Sequence, residues 1–175
     1  MGDAKTETQV IPYSKMQDIM KIITEKHYKR WYMEQTKEAK QGMKNEEGGP
    51  FGEIILKDNK IIGRGHNKVL KDHDPTAHAE INAIRDASKN LKTHNLTGCI
   101  IYTTSEPCPM CLSAIIWSNI KEIYFGTDRK EVANIGFRDD FIYEYIKHPN
   151  NALKVIKIEN EDCKNILKEY KNTIY

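Results

Sequence analysis

Long hydrophobic runs are missing from this chain. Its longest apolar stretches span a few residues, far short of the roughly 20 that a membrane-spanning helix needs. The N-terminus shows no signal-peptide pattern, so a cytoplasmic location and no membrane partner are the expectation. Cysteine is scarce: four in 175 residues, too few for a disulfide scaffold. Charge of one sign is not in excess either. The chain has 27 basic and 25 acidic residues, a formal net charge of +2, which argues against a dedicated nucleic-acid binder. Repeats, low-complexity tracts and long linkers are also absent. What remains is a chain of one-domain size, large enough for a real core.

What is present begins with helical patterning. Residues 1–12 are polar, and Ser14 can cap a helix with Met16, Ile19, Met20 and Ile23 on one face. Residues 1–27 thus read as an N-terminal extension with an amphipathic helix. A second helical stretch, or a continuation, runs to about Lys44. On it Lys26, Lys29, Arg30, Lys37, Lys40 and Lys44 form a basic stripe, with Tyr28, Trp31, Tyr32 and Ala39 opposite. The reading favoured is a solvated basic face over a buried aromatic one. Strands are expected at Glu53–Lys57 and Ile61–Gly65 around an Asp58-Asn59 hairpin turn. Others are expected at Cys99–Thr103, Glu122–Phe125 and Leu153–Ile158. Helices fall between them, and a last one spans Glu161–Lys171. The pattern predicts an α/β fold with a five-stranded mixed sheet covered by helices. More than twenty-five residues of helical pattern separate the last two strands, which implies that those two pair in parallel.

The chemistry lies in a split motif. Asp74-Pro75-Thr76-Ala77-His78-Ala79-Glu80 is followed some thirty residues on by Glu106-Pro107-Cys108-Pro109-Met110-Cys111. His-x-Glu followed by Pro-Cys-x-x-Cys is the signature of zinc-dependent nucleobase deaminases. One histidine and two cysteines suit zinc. Three protein ligands instead of four mark a catalytic site that keeps a position open for water. Two thiolates neutralise much of the metal's charge, so a nearby base is needed, and Glu80 is the candidate. Asp74 or Thr76 can cap a helix carrying His78 and Glu80 in its first turn. A second helix runs from about Cys108 to Ser118. Cys99 reads as a buried strand residue and Cys163 as part of a polar helix, so neither is expected to bind the metal.

The chain resembles the bacterial guanine deaminases of the cytidine deaminase superfamily over roughly residues 28–175. The likeness rests on Gly49-Pro50-Phe51-Gly52, His66-Asn67, the two halves of the motif, and Gly136-Phe137-Arg138-Asp139-Asp140-Phe141-Ile142-Tyr143. The resemblance implies a three-layer fold with helices on both faces of the sheet. It also implies one zinc ion per chain, held by His78, Cys108 and Cys111, with Glu80 moving protons. Asn67 would hydrogen-bond the purine, Asp139 would be a second acidic group beside it, and Phe51 and Trp117 would wall the base. The implied reaction converts guanine to xanthine and ammonia. The resemblance further implies a homodimer, with an exchanged C-terminal segment whose Tyr175 covers a site. Three departures stand out: about twenty-five extra leading residues, Ser105 where cysteine is frequent, and Arg138 where an acidic residue is common. The rival readings are a tRNA adenosine deaminase, a guanosine deaminase and a non-catalytic zinc-binding module. Glu80, Asn67 and Asp139 together speak against the last.

Overall fold

The structure, a computed structural model, describes residues 13–137, 139–150 and 152–170. Its elements in chain order are α1 (Tyr13–Lys44), β1 (Gly52–Lys57), β2 (Lys60–His66), α2 (Val69–Asp72), α3 (Ala79–Leu91), β3 (Ile100–Ser105), α4 (Pro109–Trp117), β4 (Glu122–Thr127), α5 (Arg129–Asn134), α6 (Asp139–Lys147) and α7 (Glu161–Glu169). The four strands form one sheet in the order β2-β1-β3-β4. Strand β1 pairs antiparallel with β2 and β3, and β3 pairs parallel with β4. Among the described residues no helix is long and apolar enough to cross a membrane.

Alternation along the strands sorts the core onto two faces. Ile54, Leu56 and Tyr102 pack with Trp31 on the α1 side, joined by Tyr28, Tyr32 and Tyr124. Tyr102 and Tyr124 stack with centroids 4.8 Å apart. Ile55, Ile101 and Cys99 face the other way, against Ala83, Ala87 and Leu96 and against Ile115 and Ile120. The result is helix, sheet, helix: three layers. On α1 the aromatic face is the buried one, as expected, with Trp31 and Ala39 both buried. The side chains of Met16, Ile19, Met20 and Ile23 lie outside the described residues. The hairpin between β1 and β2 turns on Asp58 (φ 48°) and Asn59 (φ 58°). Two successive left-handed residues give a turn whose twist matches the strands, and short Asp and Asn side chains tolerate that conformation.

One contact fixes the site's position. Helix α3 lies directly on β2 because Gly65 has no side chain. A Cβ there would fall 2.2 Å from the Ala79 carbonyl oxygen and 2.5 Å from the Ala83 amide nitrogen. The start of α3, which bears the motif residues, is thereby seated against the sheet.

Two expectations need correction. The fifth strand is absent among the described residues: 153–158 is irregular and unpaired, and Leu153, Val155, Ile156 and Ile158 are exposed. A strand needs a neighbouring backbone to bond to, and this segment finds none among the described residues. Parallel pairing therefore occurs between β3 and β4, linked through α4, and not between β4 and a C-terminal strand. Helix α3 also begins later than Asp74 or Thr76 would have set it. Asp74 Oδ1 instead accepts hydrogen bonds from the Thr76 amide at 2.8 Å and the Thr76 hydroxyl at 2.7 Å. That closes a local turn in competition with the helix. His78 becomes the N-cap residue, in extended conformation (φ −66°, ψ 159°).

Candidate active site

Two helix starts converge. His78 precedes α3, and Glu80 lies in its first turn. Cys108 is the N-cap residue of α4, with Pro109 opening the helix and Cys111 on its first turn. A proline suits a first helical position because its missing N–H has no partner to lose there. His78 Nδ1 lies 3.6 Å from Cys108 Sγ and 3.5 Å from Cys111 Sγ. The three donor atoms all lie within 4.8 Å of one another. Cys99 is buried in the core and Cys163 exposed, both apart from this cluster.

The donor chemistry fits a metal ion. The Cys111 thiol beside it, together with His78, holds Cys108 down to about 4 against the opposing effect of burial. Cys111 is in turn pushed far up, first by Cys108 and then by burial. The pair thus favours one thiolate and one thiol, with His78 raised by its hydrogen bond to Cys108. Ionising both sulfurs this close requires a cation among them. One borderline nitrogen and two soft sulfurs are a zinc donor set.

Beside the cluster is a small cavity, lined by His78, Cys108, Glu80, Asp139, Asn67, Phe51 and Phe137, with Ser105 and Glu106 completing its wall. Glu80 is buried, and burial raises its carboxyl to about 7. Asp139 is raised as well, by burial first and then by the neighbouring Cys108. Asn67 is buried. Its side-chain oxygen accepts from the Gly49 amide at 3.3 Å and the Val69 amide at 3.2 Å. With the oxygen engaged by two backbone donors, its NH₂ group is what the side chain can offer a ligand. Phe51 meets Phe137 edge to face, with centroids 4.8 Å apart and planes at 80°.

The structure thus gathers His78, Glu80, Cys108, Asn67, Asp139 and Phe51 around one cavity and places Cys111 within the metal-ligand cluster beside it. It does not bring Trp117 there: that residue ends α4 and is 68% exposed. Tyr175 and Arg138 lie outside the described residues. Phe137 was not singled out from the sequence, although its place two residues before Asp139 could have pointed to it.

Glu53 was missed altogether. It pairs with Gly65 and Thr103 across β1, so its side chain lies on the sheet face that α3 covers. It is fully buried, and its carboxyl oxygens form no hydrogen bond. Burial first, then the nearby Glu80, push its carboxyl well above the usual range. Strand alternation with Ile55 was the signal that could have found it.

Comparison with known proteins agrees with this geometry. Residues 26–127 match the family model for the cytidine and deoxycytidylate deaminase zinc-binding region. The chain is 50% identical to guanine deaminase of Bacillus subtilis (strain 168) over 102 residues, 58% of this chain and 65% of that one. It is 40% identical to the tRNA-specific adenosine deaminase of Buchnera aphidicola subsp. Schizaphis graminum over 128 residues, 71% of this chain and 83% of that one. The crystal structure of guanine deaminase from Bacillus subtilis superposes with a TM-score of 0.77 at 35% identity, covering 84% of this chain and 98% of that one.

Proposed function

As this chain belongs to the cytidine and deoxycytidylate deaminase family, we propose that it hydrolyses guanine to xanthine and ammonia. The observation that carries the reading is the pairing of Asn67, offering a donor, with the acidic Asp139 at one small aromatic cavity beside Glu80 and the metal ligands. Guanine presents both a carbonyl acceptor and N–H donors on its edge.

His78, Cys108 and Cys111 would hold one zinc ion, which when bound supplies Lewis acidity that makes water a better nucleophile near neutral pH. Glu80 does the proton work. As the water oxygen bonds to C2 of guanine, one water proton passes to the Glu80 carboxylate. Glu80 returns it to the exocyclic nitrogen, the C2–N bond breaks, and ammonia leaves. The second water hydrogen ends on ring N3 of xanthine as the C2 carbonyl forms. A carboxyl raised to about 7 suits a group that must both take and give a proton near neutrality. Asn67 orients the base, Phe51 stacks on it, and Asp139 reads its polar edge or helps proton transfer. Burial raises the Asp139 carboxyl, which favours its neutral, donating form relative to an exposed aspartate.

A homodimer belongs to the same reading. Strand β4 is an edge of the sheet, and Val155 and Ile158 in the unpaired segment are each 82% exposed. An exchanged arm would give both a partner, and Tyr175 at its end would cover a site, while the cell compartment would be the cytoplasm. Sedimentation should give a dimer, and deleting residues 171–175 should weaken turnover; a monomer with full activity refutes this part.

The deciding assay measures ammonia release by zinc-loaded protein from guanine, guanosine, adenine, cytosine and a tRNA anticodon stem-loop. Release from guanine is expected, and none from it defeats the reading. Release from the stem-loop instead points to the tRNA adenosine deaminases among the relatives. Glu80→Gln should keep the metal and lose nearly all turnover.

A further inference from the structure

Helix α6 brings Asp139 to the cavity, yet it has no buried residue of its own. Phe141 and Ile146 are exposed by half or more. Apolar burial therefore does little to hold this helix in place. A set of directed contacts does more. The Tyr143 hydroxyl donates to the Pro107 carbonyl oxygen at 2.9 Å. Pro107 sits between Glu106 and the metal ligand Cys108 and is buried. The Arg129 guanidinium lies 4.9 Å over the Tyr143 ring, and its Nε is 3.6 Å from Asp140. The Arg129 amide donates to Glu106 at 3.2 Å. Tyr143 follows Asp139 by four residues, so both lie on the same face of α6.

We propose that Tyr143 is a positioning residue for the deamination: its hydroxyl pins the Asp139 face of α6 to the backbone that carries Cys108. Asp139 and the metal ligands come from helices that share little core, and Tyr143 sets their separation. Arg129 supports it by stacking on the ring and by tying the start of α5 to Glu106. The half-buried ring raises the Tyr143 hydroxyl above its ordinary range, first through burial, so it stays a donor throughout the working pH range. An error of an ångström in a group that contacts substrate costs heavily in rate.

The inference rests on the reading of Asp139 as a purine contact, and a double-mutant cycle separates the two. Tyr143→Phe keeps the ring and removes only the hydroxyl. It should lower kcat/KM for guanine about fivefold to tenfold, the worth of one hydrogen bond, with zinc content and circular dichroism unchanged. In an Asp139→Asn background the same change should cost less than about twofold, since the group it positions is already disabled. A purely structural role would give equal losses in both backgrounds. If Asp139→Asn alone leaves turnover of guanine unaltered, the Asp139 reading fails and this inference with it. If Asp139→Asn impairs the enzyme but Tyr143→Phe does not, or if the two losses multiply, the Asp139 reading stands and Tyr143 is not its positioner.

Discussion

Replacing Glu53 by methionine should make the protein progressively more stable than its parent as pH rises. The side chain is fully buried without a hydrogen bond to its carboxyl oxygens. Burial raises it well above its reference value of 4.5, so the folded protein keeps a proton there that the unfolded chain has released. Unfolding then releases a proton, and stability falls with rising pH. The sign follows from the raised value: the neutral acid's contribution is complete below 4.5 and is lost as pH climbs towards the folded value.

The slope is fixed by linkage at about 1.4 kcal/mol per pH unit while the folded carboxyl stays protonated. Above pH 5 the parent should thus lose stability relative to the variant for as long as its folded carboxyl holds the proton. Methionine has similar volume and no titrating group, so near pH 4.5 the two should agree to within about 1.5 kcal/mol. Urea unfolding of zinc-loaded parent and variant at pH 5, 6, 7 and 8 measures the gap. In thermal scans each 1.4 kcal/mol of that gap corresponds to roughly 3–6 °C for a chain this long. A gap that stays constant from pH 5 to pH 7 would mean that Glu53 ionises in the fold, and the reasoning would be wrong.

Other outcomes follow from the geometry. Gly65→Ala puts a Cβ 2.2 Å from the Ala79 carbonyl, so denaturant unfolding should show a loss of about 1–3 kcal/mol and turnover should fall with it as Glu80 is displaced. Asn67→Asp keeps an acceptor for the Gly49 and Val69 amides but removes the NH₂ donor; kcat/KM for guanine should drop roughly 100-fold while the melting temperature holds. Free zinc at a hundred times its Kd should stabilise the apoprotein by about 2.7 kcal/mol, and Cys111→Ser should abolish that response in a thermal scan.

How much of this was readable beforehand depended on whether a residue's role was local. His78, Glu80, Cys108 and Cys111 were legible because the chemistry requires those residue types beside helix starts. The Asp58-Asn59 turn was legible because few residues accept left-handed backbone. Helix α3 was placed too early, since Asp74 can cap a helix or close its own turn, and only the surrounding chain decides between them. Residues 153–158 have a strand's composition, but a strand also needs an open neighbour, which composition does not reveal. Trp117 was assigned to the base pocket only through the family resemblance; its place at the exposed end of α4 is set by the register of that helix. Glu53 went unnoticed because a carboxylate in a strand reads as solvent-facing, although its alternation with Ile55 places it on the face that α3 covers.

The seating of α3 on Gly65 has a wider consequence. It welds the proton-moving group and a metal ligand to the sheet, whereas Asp139 hangs on α6, a helix with no buried side chain. The site is therefore built of one half packed on the sheet and one half held by a few directed contacts. Sequence change in α6 away from Asp139 and Tyr143 would leave the seating of α3 on Gly65 untouched. A fold divided in this way can vary one wall of its cavity while the start of α3 stays where the sheet puts it.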